Sequence, residues 1–68
     1  MSNALNKQVK EYMRECIEAG DCVDSAGVIS PTQLAESACD EFDGWDEDDN
    51  VPELFFELAA AVQAEYEA

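Results

Sequence analysis

The chain has 68 residues, 47% of them hydrophobic, and carries a formal net charge of -14 from seventeen acids against three basic residues, with no histidine. That hydrophobic share belongs to a folded domain rather than a disordered acidic tail, and the length allows one domain, 1–68, near the lower limit for a self-sufficient core. The charge excludes unaided binding to phosphate backbones or anionic membranes and favours a basic partner.

Leu5, Val9, Tyr12, Met13, Cys16 and Ile17 recur with the spacing of one helical face and predict a first helix over about 4–19. Ser2 or Asn3 suits its start, and Gly20 suits a left-handed residue at its end. All the basic residues, Lys7, Lys10 and Arg14, lie in this helix. Lys7 and Arg14 have Glu11 and Glu18 four residues on, so they read as local helix pairs and not as a binding patch.

"DSAG", Asp24 to Gly27, has the residue preferences of a type I turn. In "VISPTQL", Ser30 fits a helix cap, Pro31 the first helical position and Gln33 the capping-box position. Ile29 and Leu34 then form a hydrophobic staple across the boundary. The second helix is expected over 31–42 with Leu34, Ala35, Ala38 and Phe42 inward.

"GWDEDDN" follows, Gly44 to Asn50, four consecutive acids beside the only tryptophan. Asn50 reads as a cap with Glu53 at its capping-box position, which predicts a third helix over 52–67. Leu54, Phe55, Leu58, Val62 and Tyr66 make its broad apolar face, and Phe56 lies beside it. The expected fold is thus all-α, a three-helix domain with an acidic loop between helices 2 and 3. A homodimer through Phe55 and Phe56 would add burial to so small a core.

Little in the sequence supports catalysis or a resident cofactor. There is no His, no nucleophile in an activated setting and no Gly-rich phosphate loop. Cys16, Cys22 and Cys39 form no CxxC pair, so they read as reduced, half-buried thiols of a cytoplasmic protein; spacing alone does not decide a Cys16–Cys22 bridge. Read from Asp46, "DEDDNVPELFFE" sets Asp46, Asp48, Asn50 and Glu57 at calcium-loop positions. Val51, however, stands where such a loop needs glycine for its sharp turn, Pro52 follows it and the third helix begins inside the supposed loop, so no metal site is assigned. "ISPTQLAESACDEF" looks like the first helix of a helix-turn-helix, yet acids stand where the basic recognition helix should follow, which removes DNA binding. No apolar run is long enough for a membrane span, and "MSNALNKQVK" lacks the hydrophobic centre of a secretory signal.

The acids themselves remain: Glu36, Asp40, Glu41, Asp43, Asp46, Glu47, Asp48, Asp49, Glu53 and Glu57, with no Lys or Arg among them. Glu36 and Asp40, like Glu53 and Glu57, are spaced i,i+4, where like charges oppose helix formation by a few tenths of a kcal/mol. Two helix edges and their loop are expected to present one acidic band, with Trp45 either tethering the loop to the body or projecting as an anchor with the acids as its rim. Small size, extreme acidity and helical patterning around "DEFDGWDEDD" resemble the DNA-mimic inhibitors of phages and mobile elements, of the anti-restriction and anti-CRISPR type. The resemblance is one of composition over the whole chain and rests on no family motif. It implies a non-catalytic inhibitor or regulator whose partner is a basic nucleic-acid-binding enzyme or regulator, held by these acids and Trp45. A second reading is an interaction module that binds through an apolar surface of helix 3, with the acidity serving solubility.

Overall fold

A computed structural model describes residues 3–67. Three helices, α1 (Asn3–Glu18), α2 (Pro31–Phe42) and α3 (Glu53–Glu67), account for the regular structure. Among the described residues the only extended pairing is an isolated antiparallel bridge between Val23 and Ile29. The expected all-α three-helix domain is what the chain forms.

Each helix end has a local cause. Ser2 lies outside the described residues, and Asn3 is already helical. α1 stops in a Schellman turn: Gly20 is left-handed at φ 85°, its N–H donates to the Ile17 carbonyl at 3.0 Å, and the Asp21 N–H donates to Cys16 at 2.8 Å. At α2 the Ser30 hydroxyl accepts the Gln33 N–H at 3.4 Å, and Pro31 opens the helix. The reciprocal half of the expected capping box is not needed, because the Ser30 N–H donates to the Cys22 carbonyl at 2.9 Å. Asn50 does not cap α3, which starts at Glu53 with Pro52 just outside it; Asn50 is bound into the preceding loop instead.

The two loops that lead into α2 and α3 are the same device used twice. Asp24 Oδ1 accepts the N–H groups of Ala26 and Val28 at 2.8 and 2.9 Å, and Asp46 Oδ1 accepts those of Asp48 and Asn50 at 2.8 and 2.9 Å. In both, the N–H of the aspartate donates to the carbonyl four residues on, and the residue three places on donates back to the aspartate carbonyl. That returning donor is left-handed in each loop, Gly27 at φ 82° and Asp49 at φ 60°.

The core is built from Val9, Met13 and Cys16 of α1, Ile29, then Leu34, Ala35, Ala38 and Cys39 of α2, and Phe55, Ala59 and Val62 of α3. Alanines on the facing sides of α2 and α3 let these helices pack closely. Their order is antiparallel: Gln63 Nε2 donates to the Ile29 carbonyl at 3.2 Å at one end, and the Phe55 ring lies under Gly44 at the other. The expected staple forms, since Ile29 and Leu34 are both buried. Leu5 and Tyr66, expected in the apolar stripes, are 36% and 41% exposed because the first turn of α1 and the last turn of α3 run past the core. The expected Phe55–Phe56 surface is also corrected. Phe55 is buried in the core, and Phe56, 39% exposed, faces outward without it.

Arg14 does not pair within α1. Its guanidinium grips Glu65 of α3 with two bonds, Nε to Oε1 at 2.8 Å and Nη2 to Oε2 at 2.9 Å, and Lys10 Nζ stands 3.6 Å from the same carboxylate. Glu18, the expected partner, instead accepts the Tyr66 hydroxyl at 3.1 Å. α3 has no basic residue in its last turn, so α1 supplies the cations that its C-terminal dipole favours. The Arg14 hydrogen bonds hold the Glu65 carboxyl below its ordinary value of 4.5. A carboxyl lowered in the folded state stabilises above its unfolded pKa and loses that contribution as pH falls through the folded value. Glu65→Gln is therefore expected to lower the melting temperature at neutral pH, with the gap to wild type closing as pH falls below 4.5. A gap that stays constant across an acid titration would show that the change acts by packing and not by charge.

Candidate functional site

The acids that sequence reasoning singled out stand on α2, the 43–52 connection and the start of α3. Glu36, Asp40 and Glu41 of α2, Asp43, Asp46, Glu47, Asp48 and Asp49 of the connection, and Glu53 and Glu57 of α3 are all exposed. On α2 the apolar positions Leu34, Ala35, Ala38 and Cys39 take the inner face, which leaves Glu36 and Asp40 together on the outer one. On α3, Glu53 and Glu57 lie opposite the buried Phe55, Ala59 and Val62.

Electrostatics group them further. The Cys39 thiol is pushed up first by burial and then by the charges of Asp40, Asp46 and Glu36. Glu41 acts on Tyr12 of α1, whose hydroxyl is pushed up to about 12 by burial and by its bond to Cys16, with the carboxylate adding to both. Tyr12 itself meets Phe42 edge to face at a ring separation of 5.8 Å.

Two of the acids have structural roles. Asp46 was expected only as a partner contact, but one of its oxygens is occupied by the loop's own N–H groups. Asp43 ends α2 as a left-handed residue at φ 52°, and its N–H returns to the Cys39 carbonyl. Trp45 is half-buried against the core, as are Phe42, Val51 and Leu58. It therefore tethers the loop, and the charges of Glu47, Asp48 and Asp49 project from a held position. Sequence reasoning missed the left-handed state of Asp43 and Asp49. For Asp49 a signal existed: aligning "DSAGV" with "DEDDN" sets it opposite Gly27.

The cations are elsewhere. From Ser30 to Ala60 there are ten acids and no Lys or Arg, while Lys10 and Arg14 are committed to Glu65. Glu65 lies twelve residues beyond Glu53 on α3, about 18 Å along the axis. The surface of α2, the loop and the N-terminal half of α3 is therefore anionic without internal compensation.

Chemically, the arrangement offers attraction and hydrogen-bond acceptors. Among the described residues no three His, Cys, Asp or Glu side chains converge as a metal site would require, and no cavity opens. The helix-turn-helix likeness of α2 also ends here: ten residues separate Phe42 from Glu53, where that motif has a turn of roughly three or four, and the two helices pack antiparallel. No helix among the described residues is long and apolar enough to cross a membrane. The class the structure defines is an all-α three-helix domain with one anionic face. Among known proteins, no family model matches the chain, no curated protein matches it in sequence, and no solved structure matches its fold.

Crowded charge of one sign has a direct consequence. Screening lengths fall from about 30 Å at 0.01 M salt to about 8 Å at physiological ionic strength. The repulsion relieved outweighs the attraction of Lys10 and Arg14 for Glu65 that is lost, given a net charge of -14. The melting temperature is expected to rise over that range. A melting temperature indifferent to salt would contradict a concentrated anionic face.

Proposed function

We propose that this chain is a non-catalytic binding protein that occupies a basic nucleic-acid-binding enzyme or regulator by presenting its anionic face in place of a phosphate backbone. The observation that carries the reading is the uncompensated run from Glu36 to Glu57, ten exposed acids held on two packed helices and a tethered loop. A groove that neutralises phosphates with Lys and Arg releases counterions on binding, and carboxylates already held in place engage it with less ordering cost. The Trp45 tether and the Asp46 hydrogen bonds supply that holding. The charge of the face disfavours direct contact with nucleic acid or an anionic membrane.

The test is capture of partners on the immobilised protein at low salt, stepwise salt elution, and competition with double-stranded DNA. A variant with Glu47→Gln, Asp48→Asn, Asp49→Asn and Glu53→Gln runs alongside; it spares Asp46, whose carboxylate builds the loop. A nucleic-acid-binding protein released at a defined salt step, displaced by DNA and lost with the variant supports mimicry. Phe56 motivates the second reading, because it is 39% exposed on α3 with Glu53 and Glu57 beside it. A partner that survives high salt and the charge variant but is lost with Phe56→Ala assigns binding to the apolar surface, since salt strengthens apolar burial while weakening charge pairing.

A further inference from the structure

Two aromatic rings of α3 stand largely outside the core. Tyr66, 41% exposed, is tied through its hydroxyl to Glu18 of α1. Phe56, 39% exposed, has no polar group to tie it. Helical spacing places Phe56, Ala60 and Gln63 along one stripe of α3. That stripe runs on the α2 side, because Gln63 Nε2 donates to the Ile29 carbonyl just ahead of α2. On α2, Ser37 meets Cys22 of the segment that follows α1, which leaves Thr32 and Glu36 on the opposite edge of the helix, toward α3. The face that α2 and α3 share away from α1 therefore carries an exposed ring and an exposed alanine one turn apart. Glu53 and Glu57 stand beside the ring on α3, and Glu36 stands on α2. No Lys or Arg follows Arg14 in the chain, so neither helix holds a cation to offset those charges.

The form of this face limits what can cover it. No cavity opens among the described residues, so a small molecule finds no enclosure. The only extended pairing among them is the isolated Val23–Ile29 bridge, which gives a partner strand no sheet edge to build on. A second copy would bring the same acids against the face, and each chain carries a net charge of -14. A helix fits. Its apolar side chains at i and i+4 match Phe56 and Ala60, the alanine lets its axis come close, and basic residues along its borders meet the glutamates.

We propose that this face docks a basic amphipathic helix of a partner protein, with its apolar stripe on Phe56 and Ala60 and its Lys or Arg side chains against Glu36, Glu53 and Glu57. The proposal rests on the reading that binding runs through Phe56, and it adds the chemistry of the occupant. The covered ring carries affinity, while the charges at its rim orient the helix and speed its arrival.

The test titrates the full chain with a synthetic peptide of Leu, Ala and Lys whose apolar residues repeat at helical spacing. A peptide of the same composition with that spacing scrambled runs beside it. Amide chemical shifts report where each binds, and fluorescence anisotropy of the labelled peptides reports how tightly. The patterned peptide is expected to bind with shifts centred on Phe56, Ala60 and Glu36, and the scrambled one, of equal charge, about tenfold more weakly or worse. Phe56→Ala, at an exposed position and with thermal unfolding to check that the fold is kept, should weaken the patterned peptide by about tenfold or more. Glu53→Gln combined with Glu57→Gln should mainly slow association. Absence of binding, equal binding of the two peptides, equal binding by wild type and Phe56→Ala, or shifts centred on α1 would each overturn the proposal. Such a failure leaves the anionic-face reading to be judged by its own competition with DNA.

Discussion

Gly44→Ala is expected to destabilise the domain by about 1–3 kcal/mol, the range for forcing an extra carbon into a packed core. For a domain of this size that is a fall of roughly 5–20 °C in melting temperature. A β-carbon at this position would stand 2.5 Å from Phe55 Cζ and 2.8 Å from Cε1. Phe55 cannot swing clear, because it is 7% exposed and held among the core residues of α2 and α3. Steric contact and not backbone conformation makes glycine necessary here, since the left-handed residue at this helix end is Asp43. The check is thermal unfolding of Gly44→Ala beside the double variant with Phe55→Leu. The smaller side chain removes the ring edge, so the second change should cost less in the Gly44→Ala background than in wild type. Equal costs in both backgrounds would place the strain elsewhere.

That contact also shows what was legible in the sequence. The helices of 31–42 and 52–67 could be read because Ser30, Pro31 and Gln33 act locally and because apolar spacing marks an inner face; α2 and α3 match within a residue. Gly44 in "DGWDEDD" looks like ordinary turn punctuation, and only the tertiary approach of Phe55 gives it a role. The same holds for Arg14. Its sequence neighbour Glu18 was the obvious partner, but fold closure offered Glu65 with two-point geometry, which binds a guanidinium better than a flexible i,i+4 contact. Cys39 and Ala59 were missed as core residues because a small or weakly apolar side chain leaves little trace in hydrophobic periodicity, although both are fully buried. At the candidate site, the identity and exposure of the acids could be read directly. The engagement of Asp46 with its own loop could not, since it depends on backbone geometry.

Asp43→Gly and Asp49→Gly are expected to stabilise the fold, by about 1 kcal/mol each. Both aspartates hold left-handed backbone, at φ 52° and 60°, where a β-carbon is a burden that glycine lacks. Asp43 carries a second cost, since a carboxylate at a helix C-terminus faces the negative end of the dipole. The chain itself provides the control. At the matching place in the Asp24 loop it uses Gly27, and at the end of α1 it uses Gly20. Two of these four sites therefore give up stability for a negative charge, and both lie within the anionic face. A pair of substitutions that raises the melting temperature while weakening capture of a basic partner is the trade expected when a site is kept for binding. Unfolding and partner-capture measurements on the same two variants decide it. Stabilisation with unchanged capture would remove Asp43 and Asp49 from the binding surface. A fall in stability would show that each carboxylate makes contacts that glycine cannot replace.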